Sequence, residues 1–255
     1  MELTDTAAIV TGGASGLGAR TAAALAEQGA TVHAFDLKHA IDAAREAGVP
    51  AGVQLLEVDV TDTQSVRSAV ASVAAGPHSL RVVVNCAGIA PSERILSRRG
   101  VHNLETYAKV VTVNLIGTFN VMALAAEKMA EATPDAHGQR GVVVNTASIA
   151  GFDGQIGQAA YASSKGGIIG LTLPGARDLA QHGIRVMTIA PGIMLTPMMQ
   201  TVSEDFRTAL AAGVPFPSRL GDPAEYAKLV LAIIDNDYLN GEVVRLDGAL
   251  RMAPR

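Results

Sequence analysis

The chain has 255 residues, 49% hydrophobic and 17% charged, with a net charge of −4 and a single cysteine. That composition excludes a disordered chain, and the acidic balance (pI about 5.9) excludes the basic field of a nucleic-acid binder. Cys86 has no partner for an internal disulfide or a CxxC site. No basic segment precedes the first apolar run, and no uninterrupted apolar stretch reaches about 18 residues. A secretion signal, a membrane span and a metal site are therefore not expected, and a cytoplasmic setting is. A mean hydropathy of +0.27 is high for a soluble chain and suggests helix faces buried against other subunits.

Ala7–Gly13 reads as a first strand running into TGGASGLG and then a helix over Ala19–Gln28. Gly12, Gly16 and Gly18 let the backbone approach a pyrophosphate at a helix N-terminus, where free N–H groups favour anions. The spacing is GxxxGxG, not the usual dinucleotide fingerprint GxGxxG, and by itself such a run is equally well a plain turn. The second strand, Ala30–Asp36, ends in an acidic residue placed to take the adenosine ribose hydroxyls of NAD. Asp36 would repel a 2′-phosphate, and Lys38 is the one nearby cation, so NAD is expected over NADP. Val53–Val60 is a third strand that brings Asp59 and Val60 to the adenine pocket. Arg81–Gly88 is a fourth, ending in NCAG, whose small residues leave room for a cofactor; Cys86 there reads as a buried apolar side chain.

The irregular stretch APSERILSRRGVHN follows, with Arg94, Arg98 and Arg99 either solvated or meeting the phosphates of a large substrate. A helix over Leu104–Ala132 carries Asn114 among apolar neighbours; its plain reading is a side chain bonded to its own helix. Gly141–Ser148 is the fifth strand, closed by Ser148. In the helix over Tyr161–Gln181, Tyr161 and Lys165 lie one turn apart on one face. A surface pair does this, and so does a cation set to lower a phenol's pKa toward neutrality. Ile184–Gly192 is the sixth strand. A Met- and Pro-rich segment, about 193–222, is long enough to act as a lid over an apolar substrate. A helix over Pro223–Asp235 and a strand over Gly241–Gly248 complete the pattern. Near-continuous apolar strands alternating with helices predict a single doubly wound Rossmann-type α/β domain. Its seven-stranded parallel sheet is flanked by helices and binds ligand at the strands' carboxyl ends.

Six features occur in order: TGxxxGxG at Thr11–Gly18, NxAG at Asn85–Gly88, helical Asn114, Ser148, YxxxK at Tyr161–Lys165 and PG at Pro191–Gly192. Together they resemble the short-chain dehydrogenase/reductase family over essentially the whole chain. The resemblance implies that Tyr161 is the general base, Lys165 supports it and holds the nicotinamide ribose, and Ser148 fixes the substrate oxygen. Asn114 is implied to anchor a water linking Lys165 to solvent. Ser15, Leu17 and Ala87 join the cofactor contacts through the same motifs, with Cys86 and Gly88 beside them.

The C-terminal half (GQIGQAAYASSKGGIIGLT, GIRVMTIAPGI, VPFPSRLGDPAEYA, LNGEVVRLDGALRM) is similar to the NAD-dependent 3-hydroxyacyl-CoA dehydrogenase branch, also described as 17β-hydroxysteroid dehydrogenases. This implies a homotetramer that oxidises short or branched 3-hydroxyacyl-CoA thioesters. Gln155 would join Ser148 and Tyr161 in the substrate site, and Met194 and Thr196 would line the cofactor loop. Phe152 and Met198/Met199 are expected as apolar pocket walls. YASSK replaces the branch's usual YSASK, and Met194 stands where animal members have an aromatic. The rivals are a hydroxysteroid substrate, a 3-oxoacyl-carrier-protein reductase, whose usual NADPH Asp36 opposes, and a non-catalytic nucleotide-binding scaffold or redox sensor.

Overall fold

The structure, a computed structural model, describes residues 1–200 and 202–254, without the side chains of Met198 and Gln200. The first half alternates regularly: β1 (Thr6–Thr11), α1 (Gly16–Glu27), β2 (Thr31–Asp36), α2 (Lys38–Ala47), β3 (Val53–Glu57), α3 (Thr63–Ala74) and β4 (Ser79–Asn85). A two-stranded hairpin, β5 (Leu96–Ser97) and β6 (Gly100–Val101), interrupts it. Then come α4 (Leu104–Val111), a π-helical turn (Thr112–Ile116), α5 (Gly117–Glu131), β7 (Gly141–Thr146), α6 (Ala159–Ala180) and β8 (Ile184–Pro191). The chain closes with α7 (Pro197–Gln200), α8 (Glu204–Ala212), α9 (Pro223–Asp235) and β9 (Val243–Leu246).

Seven strands form one parallel sheet in the order β3-β2-β1-β4-β7-β8-β9. β1, β7 and β8 are buried along their whole length, which is why they read as unbroken apolar runs. Val66, Val70, Val121 and Met129 of α3 and α5 pack on one face of the sheet, and Leu25, Tyr226, Val230 and Ile233 of α1 and α9 on the other. Burying each such side chain contributes about 1.5–3 kcal/mol. The helical stretch Leu104–Glu131 is long and apolar enough to cross a membrane by length and composition. Val110, Val121, Ala125 and Met129 instead bury its inner side in this chain.

The strand order reverses between β1 and β4, the point at which open α/β sheets leave a crevice beyond their carboxyl ends. A buried polar rung sits there. Asn85 of β4 lies opposite Asn145 of β7 and donates to it at 2.9 Å, while Thr11 of β1 donates to Asn85 at 3.4 Å. A one-residue slip of either strand would turn both amides away from each other and toward the apolar faces.

Most strands end two or three residues earlier than the sequence predicts. Asp59 and Val60, Cys86 to Gly88, and Ser148 lie beyond the sheet, in loops that bend toward the crevice. The two stretches expected to be irregular are partly ordered, one as the β5–β6 hairpin and the other holding α7 and α8. The long helix is broken by its π-helical turn around Asn114.

Arg185 of β8 is buried and works as a cap. Its guanidinium donates to the carbonyls of Ile233 and Ile234 at the end of α9, to that of Leu239, and to Gln139 Oε1, at 2.9–3.0 Å. Arg185→Met strips those acceptors of their donor and is expected to lower stability by about 2–3 kcal/mol. Urea unfolding followed by circular dichroism checks this; an unchanged midpoint would contradict the capping role.

Candidate active site

The carboxyl ends of the central strands open on a cavity of about 1170 Å³. At one end the Gly-rich turn presents bare backbone. Gly12 has φ +62°, and a Cβ there would sit 2.9 Å from Ala87 N; a Cβ on Gly18 would run into the Gly12 carbonyl. Ser15, the N-cap of α1, makes no side-chain cap bond, and the first turn holds no acidic residue. The first N–H groups of α1 are thus left facing the cleft, as an anion requires. The Asp36 carboxylate folds over this loop, accepting from Ala14 N at 3.1 Å and Leu37 N at 2.9 Å. Asp59 is oriented by Thr61, whose N and Oγ1 donate to it, and the Val60 carbonyl accepts from Asn120.

At the other end, Ser148 caps a short 3₁₀ turn (Ile149–Gly151), its Oγ accepting from Ala150 N at 3.1 Å. The start of α6 sets Tyr161 beside it and Lys165 one turn below. Lys165 Nζ is 5.8 Å from the Tyr161 ring centre and donates to the Thr146 carbonyl at 2.7 Å. Burial holds Lys165 down at about 8, the Cys86 thiol opposing slightly. Burial pushes the Tyr161 phenol up, with the Ser148 hydroxyl pulling it partly back. The expected lowering of the phenol is by Lys165 together with a bound nicotinamide cation; in the chain by itself burial dominates. Moving a phenol from ~10 to 7 takes about 4 kcal/mol of preferential phenolate stabilisation. Burial opposes that movement further.

Asn114 is not bonded to its own helix through its side chain. Its amide accepts from Ile89 N at 2.8 Å and donates to Ile89 O at 2.9 Å and Ser164 Oγ at 3.0 Å. It therefore clamps the loop after β4 to α6, and its side chain has no donor left for a water. The π-helical turn, a feature frequent at functional sites, is where it sits. Gly88 lies in the same corner: a Cβ there would come within 3.2 Å of Asn114 Oδ1 and 3.6 Å of Lys165 Nζ. Cys86 is no nucleophile. Burial raises its thiol, which contacts Thr146 Oγ1 at 3.5 Å and the Tyr226 hydroxyl at 3.7 Å.

Every residue expected at the cofactor or substrate lines this one cavity, Gln155, Met194 and Thr196 included, and Asn114 stands directly behind it. Met199 lines it too; the Met198 side chain lies outside the described residues. Phe152 does not line it but lies 5.1 Å beneath the Arg245 guanidinium, and Arg94, Arg98 and Arg99 are exposed around the hairpin away from the lining. The sequence reading missed Thr146, whose carbonyl holds Lys165, along with Phe206, Leu210 and Met252 in the lining. Thr146, two residues before Ser148, could have been found as the end of the strand that leads to it. The other three come from the lid and the tail and carry no local signal.

A glycine cradle bordered by a carboxylate, with a serine, a tyrosine and a lysine around one cavity, fits a nicotinamide-dependent oxidoreductase. The profile of the short chain dehydrogenase family matches residues 6–207, and the chain belongs to that family. It is 53% identical to 3-hydroxyacyl-CoA dehydrogenase type-2 of Bos taurus over 249 residues, 97% of this chain and 95% of that one. It is 38% identical to (3R)-3-hydroxyacyl-CoA dehydrogenase of Mus musculus over 267 residues, covering 99% and 98%. The crystal structure of 3-hydroxyacyl-CoA dehydrogenase type-2 from Mycobacterium avium superposes with a TM-score of 0.92 at 43% identity, covering 98% of both chains.

The buried Lys165 makes a stability prediction. A folded pKa of about 8 against ~10.4 unfolded means the native state disfavours the charge by about 3 kcal/mol below pH 8. That penalty fades as pH rises from 8 toward 10, because there the unfolded chain still binds the proton that the folded chain has released. Lys165→Met is therefore expected to be more stable than the parent at pH 7 by about 1–2 kcal/mol, after the Thr146 bond is lost. The advantage should shrink by pH 10; urea unfolding of both proteins without added cofactor at the two pH values checks it.

Proposed function

We propose that the protein oxidises 3-hydroxyacyl-CoA thioesters of short or branched chain to 3-oxoacyl-CoA with NAD. The observation that carries this is the joining, in one cavity, of the Asp36-bordered glycine cradle and the Ser148–Tyr161–Lys165 group. The relatives named for this reaction match over nearly the whole chain and supply the substrate class.

The residues present fit a dinucleotide. Gly12, Gly16 and Gly18 with the start of α1 would hold the pyrophosphate, and Asp36 the adenosine ribose. Asp59 and Val60 would flank the adenine, and Cys86 to Gly88, Met194 and Thr196 the nicotinamide half. Bound NAD would supply the hydride acceptor and a positive charge near the phenol. Tyr161, as phenolate, takes the hydroxyl proton of the substrate while Ser148 donates to the same oxygen and fixes the carbon that bears it. Lys165 supplies part of the field that makes the phenolate accessible, and the remainder must come from Ser148 and the bound cation. Asn114 acts by holding the loop after β4 against α6, which keeps Gly88 and Lys165 in place.

The segment 193–222 is suited to be a lid. Ile193 and Leu195 are bonded to Gly221, so its two ends meet, while α7 and α8 arch between them. A homotetramer is the assembly that best accounts for Leu104, Tyr107, Ile116 and Phe119, exposed along α4 and α5. A single cysteine with no partner for an internal disulfide suits a reducing, cytoplasmic setting.

Initial rates with NAD and NADP on 3-hydroxybutyryl-CoA, a 2-methyl-branched analogue and estradiol test the reading. NAD-dependent turnover of the thioesters is expected, and turnover of the steroid alone would overturn the substrate. Tyr161→Phe should lower kcat at least about a hundredfold, with NADH binding retained. Asp36→Ser should cut the preference for NAD over NADP about tenfold or more by removing the charge that repels a 2′-phosphate. Phe119→Glu should give smaller species in light scattering; if the parent protein is already monomeric, the proposed assembly is wrong.

A further inference from the structure

The last residues of the chain return to the site. Arg245, at the end of the sheet, pairs with Asp247 and with Asp153, both at 2.7 Å, and donates to the Leu250 carbonyl at 2.9 Å. That clamp fastens the start of the tail to the loop that follows the Ser148 turn. Two further bonds fasten its end: Gln155 Nε2 donates to Ala253 O at 2.8 Å, and Ile156 N to Pro254 O at 3.0 Å. The Gln155 amide is itself oriented by Gln158, whose Nε2 lies 3.5 Å from its oxygen.

Met252 lies between these two fastenings. It lines the cavity and packs into an apolar cluster of Ile149, Ile193, Val214 and Leu250. Ile149 is the residue after Ser148, and Ile193 and Val214 belong to the lid segment. Met252 thus occupies the corner where the catalytic turn, the lid and the tail meet.

We propose that Met252 is a specificity-determining wall for the alkyl end of the acyl chain, with Gln155 a positioning residue that holds it there through the tail. This rests on the 3-hydroxyacyl-CoA reading. With the substrate oxygen fixed between Ser148 and Tyr161, the carbon bearing it lies beside Ile149, and two arms leave that carbon. The thioester arm carries amides and a charged nucleotide and needs polar partners and solvent. The alkyl arm needs neither, and the Ile149–Met252 corner offers only apolar side chains. A methionine, unbranched and with three rotatable bonds, yields to a methyl branch but stops a long chain. Gln155 is expected from the resemblance to touch substrate directly; in this structure its amide donates to the tail while the residue lines the cavity.

The test compares kcat/KM for 3-hydroxybutyryl-CoA and 3-hydroxyoctanoyl-CoA in the full-length parent, Met252→Ala, Met252→Phe and Gln155→Met, with NADH fluorescence titration reporting an intact cofactor half. Met252→Ala should raise the octanoyl-to-butyryl ratio about tenfold and Met252→Phe should lower it. Gln155→Met should shift it in the direction of Met252→Ala, by less. A parallel fall on both substrates with the ratio unmoved would show the tail to be structural only and overturn the inference. If Met252→Ala no longer binds NADH, the Phe variant decides by the same ratio. A parent enzyme that binds NADH but oxidises neither thioester overturns the substrate reading and this inference with it.

Discussion

The ammonium of Lys165 is buried, with the Thr146 carbonyl as its hydrogen-bonding partner. A cation in that position is unfavourable for folding, so the surroundings must be rigid enough to keep it from escaping to water. The structure supplies that rigidity from three directions. Thr146 ends a fully buried strand, and its hydroxyl is bonded at 2.7 Å to Tyr226, a fully buried residue of α9. Asn114 fastens the loop after β4 to Ser164, the residue before the lysine. Gly88 fills the remaining corner, where a Cβ would press on Asn114 Oδ1 at 3.2 Å. The lysine is held where a phenol, and a cofactor when bound, can use its charge.

This arrangement depends in turn on strand register. The Asn85–Asn145 pair and the Thr11 hydroxyl tie the carboxyl ends of the three central strands to each other just short of the crevice. Valines above that rung are interchangeable with respect to register, since β4 and β7 both read as valine runs. The amides are not interchangeable, because a slipped pair leaves polar groups buried without partners. Apolar strands thus provide the stability and the single polar rung provides the alignment that brings Ser148, Thr146 and Gly88 to one level.

Legibility in the sequence followed locality. The strands, the glycine cradle, Asp36 and the Tyr161–Lys165 turn were readable because each is set by residues within one element, through period, chain reversal or helical spacing. Strand ends were overrun because Val58, Val60 and Ala147 are as apolar as the strand residues before them, and only the crevice draws the chain away. Spacing reports the cation near Tyr161 and says nothing of burial, which in the chain by itself acts the other way. Asn114 was recognisable as anomalous, but its partners, Ile89 and Ser164, are distant in sequence. Helix α8 was hidden by its surroundings: a 9-residue helix with no buried side chain leaves a weak apolar pattern between Pro and Gly.

The two halves of the cavity are built by different means, and this bears on how such a site can change. The cofactor half is backbone, glycine and strand ends, where a single added methyl group meets other main chain, as at Gly12 and Gly18. Substitution there is sterically closed. Elsewhere the same cavity is lined by Phe206 and Leu210 of α8, Met252 of the tail and the turn after Ser148. The backbone there is fastened by hydrogen bonds between loops, not by the sheet, so a wall residue can change size without moving Tyr161 or Lys165. On the proposed reading, hydride chemistry would stay fixed while the shape of the accepted substrate is set by a few side chains remote in sequence from the family motifs.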